Sequence, residues 1–92
     1  MQNIPALLRL IKINPEHKPY IEFALDEHIS RGVIIGIIEE GLKDSIKFWE
    51  HEASILNGSE YKVKYLGYSE EKKNKLRLLV EEGLPNYVKN LA

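Results

Sequence analysis

VIIGIIEEGLKDSIKFWEHEASIL, residues 33–56 of this 92-residue chain, is the stretch on which the fold turns. Ile35, Ile38, Leu42, Ile46, Trp49, Ala53 and Leu56 step by three or four along it, the spacing of one helix face, so the pattern predicts a long central helix. A second stripe of Ile34, Ile37, Phe48 and Ile55 widens the apolar surface, which predicts a helix covered on two sides, by other helices or by a second subunit. Asn57 and Gly58 supply the expected stop. The branched run Val33 to Ile38 also reads as a buried strand, in which case the helix starts only near Glu39. If the run is helical, Gly32 and Gly36 lie one turn apart and cost roughly 1 kcal/mol each in propensity, which predicts a neighbouring backbone packed close against them.

Upstream, Leu7, Leu8, Leu10 and Ile11 recur at helical spacing, with Pro5 in a first turn that tolerates it, predicting a short helix over 4–13. Pro15 and Pro19 bracket a connector. From Pro19 to Ser30 the positions Tyr20, Ile21, Ala24, Leu25, His28 and Ile29 share one face, predicting an amphipathic helix that stops at Gly32. Downstream, Tyr61, Val63 and Tyr65 alternate with Lys62, Lys64 and Leu66, the period of a half-exposed strand closed by Gly67. Ser69 then reads as the N-cap of a helix running to Gly83, with Glu70 and Glu71 in its first turn. Past Pro85 a last short turn places Tyr87, Val88 and Leu91 on the core. The expected fold is mainly α: a small bundle of about four helices in one domain over 1–92, with a short strand or hairpin at 60–68.

Composition bounds the function. With 43% hydrophobic and 29% charged residues the chain has the balance of one globular domain, and at this length only about 60–65% of its unfolded surface is buried, which leaves little for a deep catalytic cleft. No cysteine is present, so disulfides, thiolate metal sites and a cysteine nucleophile are excluded, and a cytoplasmic location is the simplest expectation. The longest apolar run, interrupted by Gly36, falls far short of the roughly 18 residues of a membrane span, and Met1 to Ile13 lacks the pattern of a secretory signal. No membrane partner is expected.

Catalytic patterns are missing as well. His28 and His51 have no second ligand three or four residues away, so no metal is expected. Gly32, Gly36 and Gly41 lack the spacing and context of a phosphate loop, and no nucleotide or other cofactor is expected. Glu22 with Asp26, and Glu39 with Glu40, fall on polar helix faces rather than in a cleft that shifts a carboxyl pKa. A helix-turn-helix reader also fails, since the helix after Gly32 opens on isoleucines and two glutamates, which phosphate repels. The chain is expected not to be an enzyme.

Charge is segregated within a net of −1: residues 21–60 carry −6, while 1–20 carry +2 and 61–92 carry +3. The primary expectation is therefore a protein-interaction module, acting as a regulator, inhibitor or assembly factor. Its acidic helix would meet a protein with a basic surface through Glu39, Glu40 and Asp44, with Phe48 and Trp49 as aromatic anchors. A homodimer is the companion expectation. The alternative is a nucleic-acid-binding accessory protein that stacks bases on Tyr61 and Tyr65 and neutralises phosphates with Lys62, Lys64, Lys72 and Lys73, within a segment 61–77 of net charge +4.

Overall fold

The computed structural model describes residues 3–56 and 58–92, and five helices occur among them: α1 (Ile4–Ile13), α2 (Lys18–Asp26), α3 (Arg31–Ser54), α4 (Glu60–Glu82) and α5 (Leu84–Lys89). The chain is a small all-α bundle. Asn3 caps α1 by accepting from the Ala6 N–H at 3.1 Å, and Pro5 sits in the first turn, where its missing donor costs nothing.

Helix α3 is continuous through Val33 to Ile38, so the strand reading of that run is set aside. Branched residues are tolerated there because Ile34 and Ile38 are completely buried, and tertiary packing outweighs a propensity difference of a few tenths of a kcal/mol. The expected stop at Gly32 is also corrected. Gly32 lies in the first turn of α3, and α2 ends at Asp26. The stop is His28, in the left-handed region at φ 59°: its N–H donates to the Leu25 carbonyl at 3.0 Å, and the Ile29 N–H reaches back to Ala24 at 3.2 Å. This pair of bonds is a Schellman motif with histidine where glycine is usual, so His28 is exposed and past the helix end rather than half-buried on its face. Since the left-handed conformation costs a non-glycine residue about 1–2 kcal/mol, His28→Gly is expected to raise unfolding free energy by about 1 kcal/mol in urea denaturation. An unchanged or lowered midpoint would show that the imidazole contributes something the geometry does not reveal.

The expected strand or hairpin at 60–68 is helix. Ser59 is the N-cap of α4, its Oγ accepting from the Tyr61 N–H at 3.1 Å, ten residues before the cap expected at Ser69. Ser69 lies mid-helix and buried, its hydroxyl without a hydrogen-bond partner among the described residues. Tyr61, Tyr65, Tyr68 and Lys72 are also spaced four, three and four, and this helical period prevails because α4 lies along α3. Helix α4 ends at Gly83, at φ 89°, as expected. The stop expected at Asn57 lies outside the described residues, while Gly58 has φ 64° between α3 and α4.

The close backbone approach expected at Gly32 and Gly36 is found instead at Gly41. A Cβ placed on Gly41 would fall on the Lys12 carbonyl, with Pro15 Cβ 3.1 Å away, whereas Gly36 has nothing within 4 Å. The absence of a side chain at Gly41 is what lets α1 lie down on α3.

Two layers result. The hairpin of α3 and α4 forms the first, and α1, α2 and α5 form a second that packs on one end of it. The core joins Leu7 and Ile11, Ile21 and Ala24, Ile34, Ile38 and Leu42, Leu79 and Leu84, and Tyr87, Val88 and Leu91, the last three as expected. The connector between α1 and α2 is fastened from both sides: the Tyr87 hydroxyl donates to the Pro15 carbonyl, and Lys72 pairs with Glu16. Apart from Ala53, every buried apolar side chain of α3 lies at or before Leu42, so the far half of the hairpin projects beyond the second layer. The molecule is accordingly elongated, 49 × 26 × 20 Å with a radius of gyration of 14.5 Å, against about 12 Å for a globular chain of this length.

Candidate interaction surface

Ile34, Gly41, Phe48 and Ile55 recur every seven residues, so they form one slowly drifting stripe along α3. Ile34 is buried and Gly41 lies beneath the Lys12 carbonyl; Phe48 and Ile55, further along the same stripe, are 53% and 64% exposed. The second layer therefore stops between Gly41 and Phe48. Beyond it the open half of the hairpin carries five of the chain's eight aromatic residues.

These rings touch one another in series. Phe48 meets Trp49 edge-to-face at 4.9 Å between centroids, Trp49 lies 5.2 Å from Tyr65 and 4.8 Å from Tyr68, and Tyr61 is 6.5 Å from Tyr65. Each distance lies within the range where offset or tilted rings attract, which holds them as a preformed surface. Where α1 ends, Arg9, Lys12, Ile13, Asp44, Ser45, Phe48 and Trp49 bound a groove of about 590 Å³. A second groove of about 380 Å³ shares Ile13, Ser45 and Trp49 and continues to Glu16, His17 and Lys72.

The acidic candidates separate. Asp44 lines the groove with Phe48 and Trp49, whereas Glu39 lies nine residues before Phe48, half a turn out of phase, on the opposite side of α3. Glu40 and Asp44 are exposed, and Lys12 lies 3.7 and 3.9 Å from them, reducing the negative field they present. The acidic surface is thus shorter and weaker than the sequence implies.

The basic candidates separate too. Lys73 donates to Glu50 at 2.8 Å; that bond holds the Glu50 carboxyl below its usual pKa and raises the Lys73 ammonium above its own. Lys72 is committed to Glu16. Lys64 is exposed, 5.9 Å above the Tyr61 ring, and Lys62 is half-buried; neither has a carboxylate partner among the described residues. Tyr61 is exposed, while Tyr65 and Tyr68 are half-buried against Trp49.

The sequence placed Ile55 in the second apolar stripe with Phe48 without singling it out as a contact residue, and it carried no sign of Ile13; the two are 64% and 74% exposed at the two ends of the open half-face. The seven-residue step from Ile34 through Phe48 is what links Ile55 to the contact residues. Ile13 has no such link, because it looks like the last core residue of α1. Among the described residues no cluster of three His, Asp or Glu converges, and no helix is long and apolar enough to cross a membrane. No protein-family model matches the chain, and neither a curated protein nor a solved structure matches it.

Proposed function

We propose that the chain is a non-catalytic protein-interaction module, an assembly factor or regulator, whose contact surface is the open aromatic half-face of the α3–α4 hairpin. The observation that carries this reading is Phe48, half exposed and pinned edge-on against Trp49 at the mouth of an apolar groove. Rigid aromatics beside a concavity are the usual anchors of an interface, because they bury large area at small entropic cost. Arg9, and Asp44 paired with Lys12, provide the charges at the groove that orient a partner. The absence of cysteine fits a reducing, cytoplasmic compartment.

In the experiment that tests this, the immobilised protein and its Phe48→Glu variant capture proteins from nuclease-treated lysate, with bound species quantified by mass spectrometry. Phe48 is surface-exposed, so the variant is expected to keep its helical circular dichroism while losing at least tenfold of the captured partner. Equal capture by both proteins would overturn the reading. The nucleic-acid alternative retains support from Tyr61 and the neighbouring Lys64. It requires binding that weakens steeply with salt and disappears when Lys62 and Lys64 are both neutralised.

A further inference from the structure

We infer that the occupant of the open half-face is a second copy of this chain, laid antiparallel across a two-fold axis so that each hairpin tip fills the vacant half of the other's second layer. This rests on the functional reading above and names the partner of the same surface.

The argument starts from the half-covered hairpin. Along α3 one stripe passes from full burial at Ile34 to 64% exposure at Ile55, with no polar residue at any of its four positions. Two helices side by side bury only the seam between them; a third element is needed to bury a face. The proximal half has that element and the distal half does not. The vacancy is about as long as the tip that projects past the second layer, because the same boundary defines both. A two-fold axis through the middle of the open half therefore seats each tip in the other's vacancy with no rearrangement of either chain. Its apolar end, Ile55, is brought toward Ile13 at the end of the partner copy's α1, so the two exposed isoleucines at opposite ends of the patch become neighbours. A patch whose two ends match each other is what an isologous interface requires.

The area fits a weak dimer. From Ser45 to Leu56 the open half runs about 17 Å along the hairpin at 1.5 Å per residue, and two helices are about 20 Å wide, which is about 340 Å² in projection and, with the curvature of two half-cylinders (a factor of about 1.6), on the order of 550 Å² of accessible surface per protomer. Doubled, this is about 1,100 Å², just under the roughly 1,200–2,000 Å² of stable specific interfaces and in the range of reversible, concentration-dependent ones. The seven aromatic and aliphatic side chains Phe48, Trp49, Ile55, Leu56, Tyr61, Tyr65 and Tyr68 outnumber the charged Glu52, Glu60, Lys62 and Lys64 beside them, which sum to no net charge, a composition that suits an interface centre rather than a phosphate-binding track.

The test is sedimentation equilibrium of the full chain from low micromolar to submillimolar concentration. The mass is expected to rise with concentration from 10.6 kDa to twice that value. Trp49, the chain's single tryptophan, is expected to shift its emission to the blue over the same range as the interface excludes water. Phe48→Glu and Ile55→Glu are each expected to hold the protein at monomer mass, with unchanged helical circular dichroism. Val80→Glu, at a site 66% exposed outside the open half, is expected to leave the dimer intact. A single monomer mass throughout would overturn the inference, as would a dimer insensitive to both glutamates or one lost on Val80→Glu. A monomer whose capture of some other molecule still depends on Phe48 overturns the self-association alone; a monomer with no Phe48-dependent capture overturns the functional reading with it.

Discussion

Tyr87→Ala is expected to cost about 4 kcal/mol, the largest loss of any single side chain here, because it empties a fully buried aromatic site and frees the connector between α1 and α2. Tyr87 is the largest completely buried side chain, and its hydroxyl donates to the Pro15 carbonyl 72 residues away. Burial, with the nearby Glu16 charge adding to it, pushes the phenol well above its ordinary pKa, so it remains a donor through the whole physiological range. Two effects are separable. Tyr87→Phe keeps the ring and leaves the Pro15 carbonyl without this donor, for an expected loss of about 1–2 kcal/mol. The remaining 2–3 kcal/mol belongs to the cavity. Against a total stability of about 5–14 kcal/mol for a chain of this length, the alanine variant is expected to be marginally folded at 37 °C, and urea unfolding of the three proteins measures each step. Equal midpoints for Tyr87→Phe and the parent would show that the hydroxyl carries no net stability.

Gly41→Ala is expected to destabilise by about 2–3 kcal/mol, against the ordinary helix trend in which alanine is better than glycine by about 1 kcal/mol. The added methyl would overlap the Lys12 carbonyl oxygen, which is backbone and has no rotamer by which to retreat. Helix α1 as a whole has to lift from α3, loosening Leu7 and Ile11 in the core. Gly36→Ala supplies the contrast. It lies on the same helix with nothing within 4 Å, so it is expected to gain about 0.5–1 kcal/mol from propensity alone. The signature is thus two Gly→Ala changes on one helix with opposite sign, read as thermal midpoints separated by more than about 10 °C. Midpoints that rise together would mean that α1 is not seated on α3 as described.

The helical nature of residues 33–56 was legible because seven apolar positions keep one phase over its whole length, and the docking of Tyr87, Val88 and Leu91 because Pro85 breaks the chain just before them. Two boundaries were not, for different physical reasons. At 60–68 the tyrosines fit a period of two as well as a period near 3.6, and only the presence of α3 alongside decides between them. At His28 the left-handed stop carries a histidine, so nothing in the composition marks it, while Gly32, which looks like a stop, is merely an early helix residue. The candidate surface was half legible. Phe48, Trp49 and Asp44 do meet at one groove, but Glu39 faces away, and Lys72 and Lys73 are held by carboxylates from elements that residue spacing alone cannot bring together.

Leu7 and Leu91 share one core, so the first helix has no complete seat until almost the last residue described has been made. During synthesis α1 can settle on α3 and the α3–α4 hairpin can close from local contacts, yet the connector after α1 stays unfastened until Tyr87 reaches Pro15. Of two ribosome-bound chains carried clear of the exit tunnel on the same inert linker, one ending at Gly83 should accordingly be cleaved by protease in the connector 14–17, and one running past Leu91 should resist there. The order of the helices thus ties the protection of the first connector to the emergence of the last helix.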